Sequence, residues 1–530
     1  MAYLAALSNR LDALRQRLGW SAPRSIDSQS DVEILRHYKD HFPETAEAFQ
    51  RFLRQYDFAG VKPGAGQDAA VVVLPWVSTP VPWFSVALGI ALARRGANVT
   101  FIWDDSVFPV PSAALDRQNE WIDKILSDLR PHFRVVRLST VQRQPAQAGD
   151  ETVLERLVSL NLVWALRGGT PSEADLAGAQ QVRRHLRDAL SRIRGLLADG
   201  AFRYVVVPGG VYGTSGLYLH AGQQAGTRVA TFDSGFGWTV ACPDGVVAHQ
   251  MDVPRAFSAL YQEGSTELAE AVEEARAEYG RRTQGGDRMK YQDAGPRPVE
   301  GMPDRAILIP LSVEWDSSAL GRHHIFQDSA DWLVTTVGHL LEHTAAPVIV
   351  RQHPSERREF ERSRFRVGSL LDERFGKNPR YHFVGAEDDV NTYALLDSAR
   401  LVLPYISTIG IEAAAIGKTV ILAGQPYYSA LGFTWNATSR AEYLDLIARG
   451  ATGTLPALPD QVRKAWLCFY VNAVRYRVFT DFSPQPSDFW KWCRWKPERL
   501  FATPEVEDLL TAIDENRPVP LVRHSRTQSL

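Results

Sequence analysis

The chain contains two series of short apolar segments, and a stretch with helical periodicity follows most of them. The first series includes "AAVVVLPW", "NVTFIWDD", "RYVVVPGG" and "RVATFDSG", and the second includes "AILIPLS", "PVIVRQHP", "RLVLPY" and "TVILAG". Unbroken apolar runs of this length are typical of parallel strands that helices cover on both faces. The pattern therefore predicts an α/β protein with two doubly wound sheets facing a cleft.

Length and composition place the boundaries of these units. The 530 residues exceed what a single core holds, and a polar segment rich in Gly and Pro separates the two series at 284–304. Leucines spaced three and four residues apart predict helices near the N-terminus. We predict an N-terminal helical extension (1–66), a first α/β domain (67–290), a second (291–470), and C-terminal helices with a tail (471–530).

The charge and the cysteines limit the class of protein. A formal net charge of −2 argues against nucleic acid as a partner, because that partner requires a basic surface. Cys242, Cys468 and Cys493 lie far apart in the chain, which predicts neither a disulfide framework nor a zinc site. Such cysteine usage suits a reducing cytoplasm, and the sequence predicts a cytoplasmic enzyme.

Two segments raise the question of membrane contact. Residues 71–93 are uncharged and long enough to span a bilayer, but Pro75, Pro80 and Pro82 favour a strand, a turn and a helix instead. Residues 489–501 mix Trp with Lys and Arg, which suits a lipid interface. A C-terminal helix packed on the protein is the alternative that we favour. Peripheral contact with the inner face of the cytoplasmic membrane remains an alternative, and the oligomeric state is unknown.

A pair of hydroxyls at a strand-to-helix crossover is the first candidate binding motif. Ser407 and Thr408 follow the run "RLVLPY" and open the helix "IGIEAAAIG", which contains Gly410 and Glu412. Such a position suits phosphate, whereas plain helix capping is the alternative. A carboxylate in an apolar helix needs a partner, and a ribose would supply one. The "GKT" that follows is no nucleotide loop, because it ends a helix and begins a strand.

Other polar residues follow the ends of predicted strands, where ligands of doubly wound sheets bind. Arg351, His353 and Pro354 end "PVIVRQHP", and the first two could meet a phosphate or a leaving group. Ser312 ends "AILIPLS", Asp316 and Ser317 follow it, and all three could line the same cleft.

The first series also ends in polar residues. Asp233 follows a predicted strand directly and is flanked by Ser234 and Gly235, a position that suits a general base or a nucleophile, although Asp-Ser-Gly is also good turn chemistry. Gly209 and Gly210 predict a loop that lets substrate approach the backbone.

Metal ligation is not predicted. His323 and His324 have no third ligand at metal spacing. The acidic pair Asp104 and Asp105 could imitate a metal-binding motif, but solvated loop charges are the favoured interpretation.

The run "STIGIEAAAIGKTVILAGQPYYSALGFT" resembles the C-terminal motif of the bacterial capsule polysaccharide biosynthesis family that includes the Kdo transferases. That family also has a His-Pro dyad one βα unit upstream, like His353-Pro354 here, and an acidic Gly motif in its N-terminal half, like "FDSGFG". The resemblance spans roughly residues 204–449. Relatives often have an acidic pair before the glycine, whereas this chain has Asp-Ser-Gly.

The resemblance implies two facing Rossmann-like domains of the GT-B type and a metal-independent glycosyltransferase that needs no cofactor besides its nucleotide-sugar substrate. It implies that His353 contacts the leaving phosphate of a CMP-linked donor, that Ser407 and Thr408 cradle it, and that Glu412 holds the ribose. Asp233 would be the catalytic carboxylate, as nucleophile or as base.

We therefore predict transfer of a Kdo-like sugar from a nucleotide-activated donor to a surface polysaccharide or glycolipid. A nucleotide-sugar epimerase or hydrolase of the same fold, or a non-catalytic scaffold for glycan assembly, are the alternatives.

Overall fold

A computed structural model describes most of the chain, which forms two compact units. The described residues are 46–58, 61, 68–76, 81–106, 113–169, 171–200, 202–211, 213–233, 239–242, 245–262, 266–286, 301–316, 319–358, 361–477 and 503–528. Among them, residues up to 162, from 170 to 248 and from 477 onward form the first unit, and residues 163–169 and 249–476 form the second.

The first unit is built around a six-stranded sheet. Its order is β3-β2-β1-β4-β5-β6, and all pairs are parallel except β5 with β6. The elements are β1 (Asp68–Val73), α1 (Val81–Arg94), β2 (Asn98–Trp103), α2 (Ala113–Leu129), β3 (Arg134–Arg137), α3 (Asp150–Ala165), α4 (Glu173–Gly200), β4 (Tyr204–Pro208), α5 (Gly213–Ala225), β5 (Arg228–Asp233) and β6 (Thr239–Ala241).

The apolar stretch at 71–93 is a strand followed by a helix, as predicted. β1 ends at Val73 and α1 begins at Val81, and thirteen consecutive residues of α1 are buried. A helix that is apolar all round is expected to be enclosed by other elements. Among the helices of the described part, none combines the length and the apolar character that crossing a bilayer requires.

Two C-terminal helices complete the first unit: α14 (Pro504–Glu515) and α15 (Val519–Gln528). Side chains of α14, such as Leu509 and Ile513, belong to the same hydrophobic cluster as β1 and α1. The C-terminal helices are therefore part of this core.

The second unit contains a six-stranded sheet of order β12-β11-β10-β7-β8-β9, with parallel pairs throughout. Its elements are α6 (Asp252–Leu260), α7 (Thr266–Arg281), β7 (Ile307–Pro310), α8 (Ser329–His343), β8 (Val348–Arg351), α9 (Val367–Phe375), β9 (Tyr381–Val384), α10 (Thr392–Ser398), β10 (Leu401–Val402), α11 (Ile409–Ala415), β11 (Thr419–Leu422), β12 (Trp435–Asn436), α12 (Arg440–Thr452) and α13 (Gln461–Phe469).

Both sheets have the same strand order when each is counted from its own first strand: 3-2-1-4-5-6. The second and third strands lie on one side of the first strand, and the fourth, fifth and sixth lie on its other side. The predicted doubly wound, Rossmann-like sheets are thus confirmed. Their reversal points lie between β1 and β4 and between β7 and β10, and ligands of such sheets bind at the carboxyl ends of the strands there.

The boundary between the units differs from the predicted one at residue 290. Helices α6 and α7 belong to the second unit, because α7 packs on α13 and on the helical turn Tyr470–Arg475 that follows it. Arg475 donates two 2.9 Å hydrogen bonds to Glu274 of α7. Tyr279 makes edge contacts with Trp466 and Phe469.

Candidate functional site

Polar residues follow three neighbouring strands of the second sheet. Ser312 follows β7, His353 follows β8 and Ser407 follows β10, and these strands are adjacent in the order β10-β7-β8. Parallel neighbours lie about 4.8 Å apart, so the three loops share one edge of the sheet. That edge contains the reversal point, which makes it the candidate ligand site of this unit.

The Ser407–Thr408 turn presents two hydroxyls at this edge. Thr408 is exposed, its backbone is helical (φ −62°, ψ −18°), and its side chain makes no capping hydrogen bond to α11. Ser407 is partly buried, and its carbonyl accepts the N–H of Gly410 at 3.1 Å. Within the described part of the chain neither hydroxyl has a hydrogen-bonding partner. Helix capping, the alternative weighed from the sequence, therefore does not account for Thr408.

The His353 imidazole is held by the residues that follow it. Pro354 is the first residue of the short helix Pro354–Arg357, which His353 caps. Nδ1 accepts the backbone N–H of Ser355 at 3.3 Å and lies 2.7 Å from the Ser355 hydroxyl. The ring proton of the neutral imidazole is therefore assigned to Nε2.

Burial lowers the pKa of His353 to about 4, although the negative charges of Glu361 and Asp316 oppose this shift. The imidazole is consequently neutral near pH 7 and offers an N–H donor rather than a positive charge. The same interaction shows that the structure brings two predicted site residues, His353 and Asp316, within electrostatic reach of each other.

Arg351 is directed at the protein itself. Its side chain is almost fully buried, and its guanidinium donates to the carbonyls of Gly385 and Val390 (3.0 Å for Val390) and to the Thr392 hydroxyl at 3.4 Å. These groups lie between β9 and α10. These hydrogen bonds give Arg351 a structural role in holding the loop after β9, and its contact with phosphate stays a prediction.

Glu412 also has a partner within the protein. Its carboxylate lies 3.5 Å from Nη1 of Arg282, the residue that directly follows α7. Arg282 in turn donates from Nε to Glu278 at 2.8 Å. A carboxylate in an apolar helix needs a partner, and Arg282 is such a partner without any ribose. The ribose contact stays a prediction that has lost its supporting argument.

The loop after β7 contains an unusual carboxyl group. The Ser329 hydroxyl donates to Glu314, yet burial, reinforced by the negative charge of Asp328, raises the pKa of Glu314 to about 7. Ser312 Oγ is buried and has no hydrogen-bonding partner among the described residues. The Asp316 side chain is exposed.

Ser312 and Glu314 line a cavity of about 30 Å³ together with His323, Tyr405 and Trp332. Nδ1 of His323 lies 2.9 Å from the Tyr405 hydroxyl. A cavity of this size would admit about two water molecules, although most of its lining is apolar. It is too small for a nucleotide.

In the first unit, Asp233 is the last residue of β5, where it pairs with Thr239 of the antiparallel β6. It is partly exposed at the carboxyl edge of the sheet. The placement matches the predicted strand end, and the catalytic role remains a prediction.

Gly209 and Gly210 are explained by the fold. Both have a left-handed backbone, with φ of +78° and +94°. A Cβ at Gly209 would lie 2.7 Å from the Trp76 ring, and one at Gly210 would lie 2.9 Å from Thr231 Cγ2. Intramolecular packing therefore accounts for these glycines without an approaching substrate.

Asp104 was expected to be a solvated loop charge, and this expectation is wrong. The residue follows β2 and is completely buried, with Ser106 N–H donating to Oδ1 at 3.2 Å. Oδ2 has no hydrogen-bonding partner among the described residues. Burial raises the pKa of Asp104 to about 6, and the negative charge of Asp104 contributes to a raised pKa of the buried Tyr218 on α5.

Several predicted features lie outside the described residues: Ser234, Gly235, Ser317, Cys493, the aromatic-basic segment 489–501 and most of the extension 1–66. In the described ranges, no group of three or more His, Cys, Asp or Glu side chains is arranged to hold a metal ion. The thiols of Cys242 and Cys468 are both buried.

The second unit carries the similarity to known sequences. Residues 264–452 match the family described as capsule polysaccharide biosynthesis protein, which confirms the resemblance over that segment. No curated protein sequence matches the chain.

Solved structures give only distant likenesses. The β-Kdo 2,4-transferase of Thermosulfurimonas dismutans KpsC is 17% identical, with 51% of this chain and 88% of that chain covered and a TM-score of 0.34. The β-Kdo 2,7-transferase of the same protein is 14% identical, with 58% and 89% covered and a TM-score of 0.32. The UDP-GlcNAc 2-epimerase of Methanocaldococcus jannaschii is 10% identical, with 76% and 97% covered and a TM-score of 0.26. At these TM-scores the likenesses carry no weight for the reaction.

Proposed function

We propose that the chain is a glycosyltransferase that moves a sugar from a nucleotide-activated donor to a growing surface polysaccharide or glycolipid. The observation that carries this proposal is the Ser407–Thr408 turn. It places two hydroxyls, which have no partner in the described part of the chain, at the reversal point of the second sheet. The turn also lies inside the segment that matches the capsule polysaccharide family.

In this proposal the hydroxyls of Ser407 and Thr408 donate to the phosphate of the nucleotide, and His353 donates from Nε2 to the same group as it leaves. A neutral donor suits this task, because it stabilises the developing charge without first forming an ion pair with the ground-state phosphate. The CMP-linked, Kdo-like donor and catalysis without a metal belong to the proposal as well.

Asp233 is proposed as the catalytic carboxylate. As a nucleophile it would bond to the anomeric carbon while the bond from that carbon to the nucleotide phosphate breaks. The acceptor hydroxyl would then displace the carboxylate, with retention. As a base it would take the proton of the acceptor hydroxyl during a single displacement, with inversion.

Nucleotide binding is tested by thermal unfolding with CMP, CDP, UDP, GDP and ADP. The variants are His353→Ala and the pair Ser407→Ala with Thr408→Val, and the control is Ser369→Ala, an exposed serine of α9. A ligand at a hundred times its dissociation constant adds about 2.7 kcal/mol of stability. We expect stabilisation of wild type and of the control by CMP, and a much smaller effect in the site variants. Equal stabilisation of all four proteins would refute this location.

The reaction is tested with CMP-Kdo, with and without a lipid-linked oligosaccharide acceptor. We expect CMP release that requires the acceptor, and loss of turnover with retained CMP binding in Asp233→Asn. CMP release with water alone would indicate a hydrolase, an altered donor sugar would indicate an epimerase, and binding without any turnover would indicate a scaffold.

A further inference from the structure

Tyr428 connects the segment after β11 to the Ser407–Thr408 turn. The side chain is completely buried, and its hydroxyl donates to the Ser407 carbonyl at 2.6 Å. Its ring stacks on Phe433 with centroids 5.8 Å apart and planes at 10°. The hydroxyl is therefore presented to the carbonyl by a rigidly packed ring.

Gly410 makes this contact sterically possible. A Cβ at this position would collide with the Tyr428 hydroxyl and would lie 3.0 Å from Pro404 Cγ. The sequence predicts that Gly410 belongs to a ligand site. Because glycine has no side chain, this position leaves room for the tyrosine hydroxyl. Gly410 therefore acts on the turn through Tyr428.

The Ser407 carbonyl consequently accepts two hydrogen bonds, one from Tyr428 and one from the N–H of Gly410 at 3.1 Å. A carbonyl oxygen has two lone pairs, so both are used. The peptide group between Ser407 and Thr408 is thus fixed in orientation, and with it the directions in which the two hydroxyls leave the backbone.

We propose that Tyr428 is a positioning residue for nucleotide binding, which holds the Ser407–Thr408 turn in the geometry that the phosphate requires. The inference rests on the proposed function of that turn. Tyr428 is buried and would act only through the Ser407 backbone. Removing the Tyr428 hydroxyl should therefore weaken binding of the phosphate by more than a loss of folding stability alone would explain.

Tyr381 provides a matched control in the same unit. It is the first residue of β9, at the amino edge of the sheet, and it is buried. Its hydroxyl donates one hydrogen bond to the Asp372 carboxylate at 3.1 Å. Tyr381→Phe and Tyr428→Phe both delete one hydroxyl and one hydrogen bond. Only the second change affects the turn.

The experiment compares CMP dissociation constants by isothermal titration calorimetry with melting temperatures measured without nucleotide. We expect a roughly fivefold weaker affinity in Tyr428→Phe, the value for loss of one ordinary hydrogen bond, and wild-type affinity in Tyr381→Phe. Wild-type affinity in Tyr428→Phe, or equal weakening in both variants, would overturn the role of Tyr428. Wild-type protein that binds none of CMP, CDP, UDP, GDP and ADP would overturn the proposed function and this inference together.

Gly410→Ala adds a second measurement that general destabilisation would not imitate. In wild type the new methyl group should displace the Tyr428 hydroxyl and weaken CMP binding. In Tyr428→Phe the hydroxyl is already absent, so Gly410→Ala should weaken CMP binding much less there than in wild type. The effects of substitutions at two residues in contact are generally not additive. If Gly410→Ala and Tyr428→Phe weakened CMP binding additively, the contact between Gly410 and the Tyr428 hydroxyl would not be the cause of the weaker binding.

Discussion

Replacing Asp104 by asparagine should stabilise the protein at neutral pH and leave its stability nearly unchanged in acid. Asp104 is completely buried after β2, and burial raises its pKa from 3.8 to about 6. Asparagine has nearly the same shape and retains an acceptor for the Ser106 N–H, but it carries no charge. The substitution therefore removes the cost of ionisation and keeps the packing.

The size of the effect follows from the two pKa values. A tenfold change in proton affinity is worth about 1.4 kcal/mol, so ionising this group in the folded protein costs about 3 kcal/mol. Well below the unfolded pKa of 3.8 the carboxyl group is protonated in both states and the cost is absent. As the pH rises towards 6, the unfolded chain releases its proton first, and wild-type stability falls. Above that pH the whole cost is present.

Urea unfolding of wild type, Asp104→Asn and Asp116→Asn would be followed by tryptophan fluorescence between about pH 4 and 8. Asp116 is exposed on α2 and is the control. The free energy of unfolding of Asp104→Asn should exceed that of wild type by an amount that grows by about 2–3 kcal/mol across this range. A difference that does not depend on pH would refute the reasoning, because it would mean that the pKa of Asp104 is the same in the folded and the unfolded chain.

Three further changes test other parts of the structure. Glu412→Gln and Arg282→Gln should each lower the free energy of unfolding by about 1–3 kcal/mol, and the double variant should lose less than the sum, as a urea-melt cycle would show. Asp150→Asn should destabilise at neutral pH, because Arg194 chiefly holds the pKa of Asp150 at about 2; the difference should vanish as the pH falls from about 4 to 2 in acid unfolding curves. Gly209→Ala should lower the melting temperature, at a cost of about 1–3 kcal/mol for the collision with its packed neighbour and the left-handed backbone; an unchanged melting temperature would contradict the packing explanation.

The architecture could be predicted because it depends on local patterns. Segments such as "AAVVVLPW" are apolar on both faces of the strand, and the helical stretch from Val81 to Arg94 follows at once. Proline residues between them exclude a continuous helix. The "GKT" segment is similar: Gly417 has φ of +83°, and Lys418 N–H donates to Ala413 at 2.9 Å, the helix end that the sequence predicts.

The burial of Asp104 could not be predicted, because its cause is distant in sequence. The stretch "WDDS" has the composition of a solvated turn. Its first carboxyl group is nevertheless enclosed together with Tyr218 of α5, whose ionisation the charge of Asp104 opposes. The boundary at 290 differs for the same reason. The unit to which α7 belongs is decided by Glu274 and Tyr279, whose partners lie in α13 and the turn after it.

The same limit applies to Glu412, and it changes which residues the candidate site depends on. A carboxylate in an apolar helix needs a partner, but the sequence does not specify which residue or ligand supplies it. Because Arg282 lies 3.5 Å away, a ribose bound by Glu412 would have to compete with that ion pair, whereas a phosphate bound by Thr408 displaces no hydrogen bond of the described chain. Loss of the Ser407 and Thr408 hydroxyls should therefore weaken nucleotide binding more than Glu412→Gln does. If Glu412→Gln weakened binding more, the contact between Glu412 and the ribose would be the more important one.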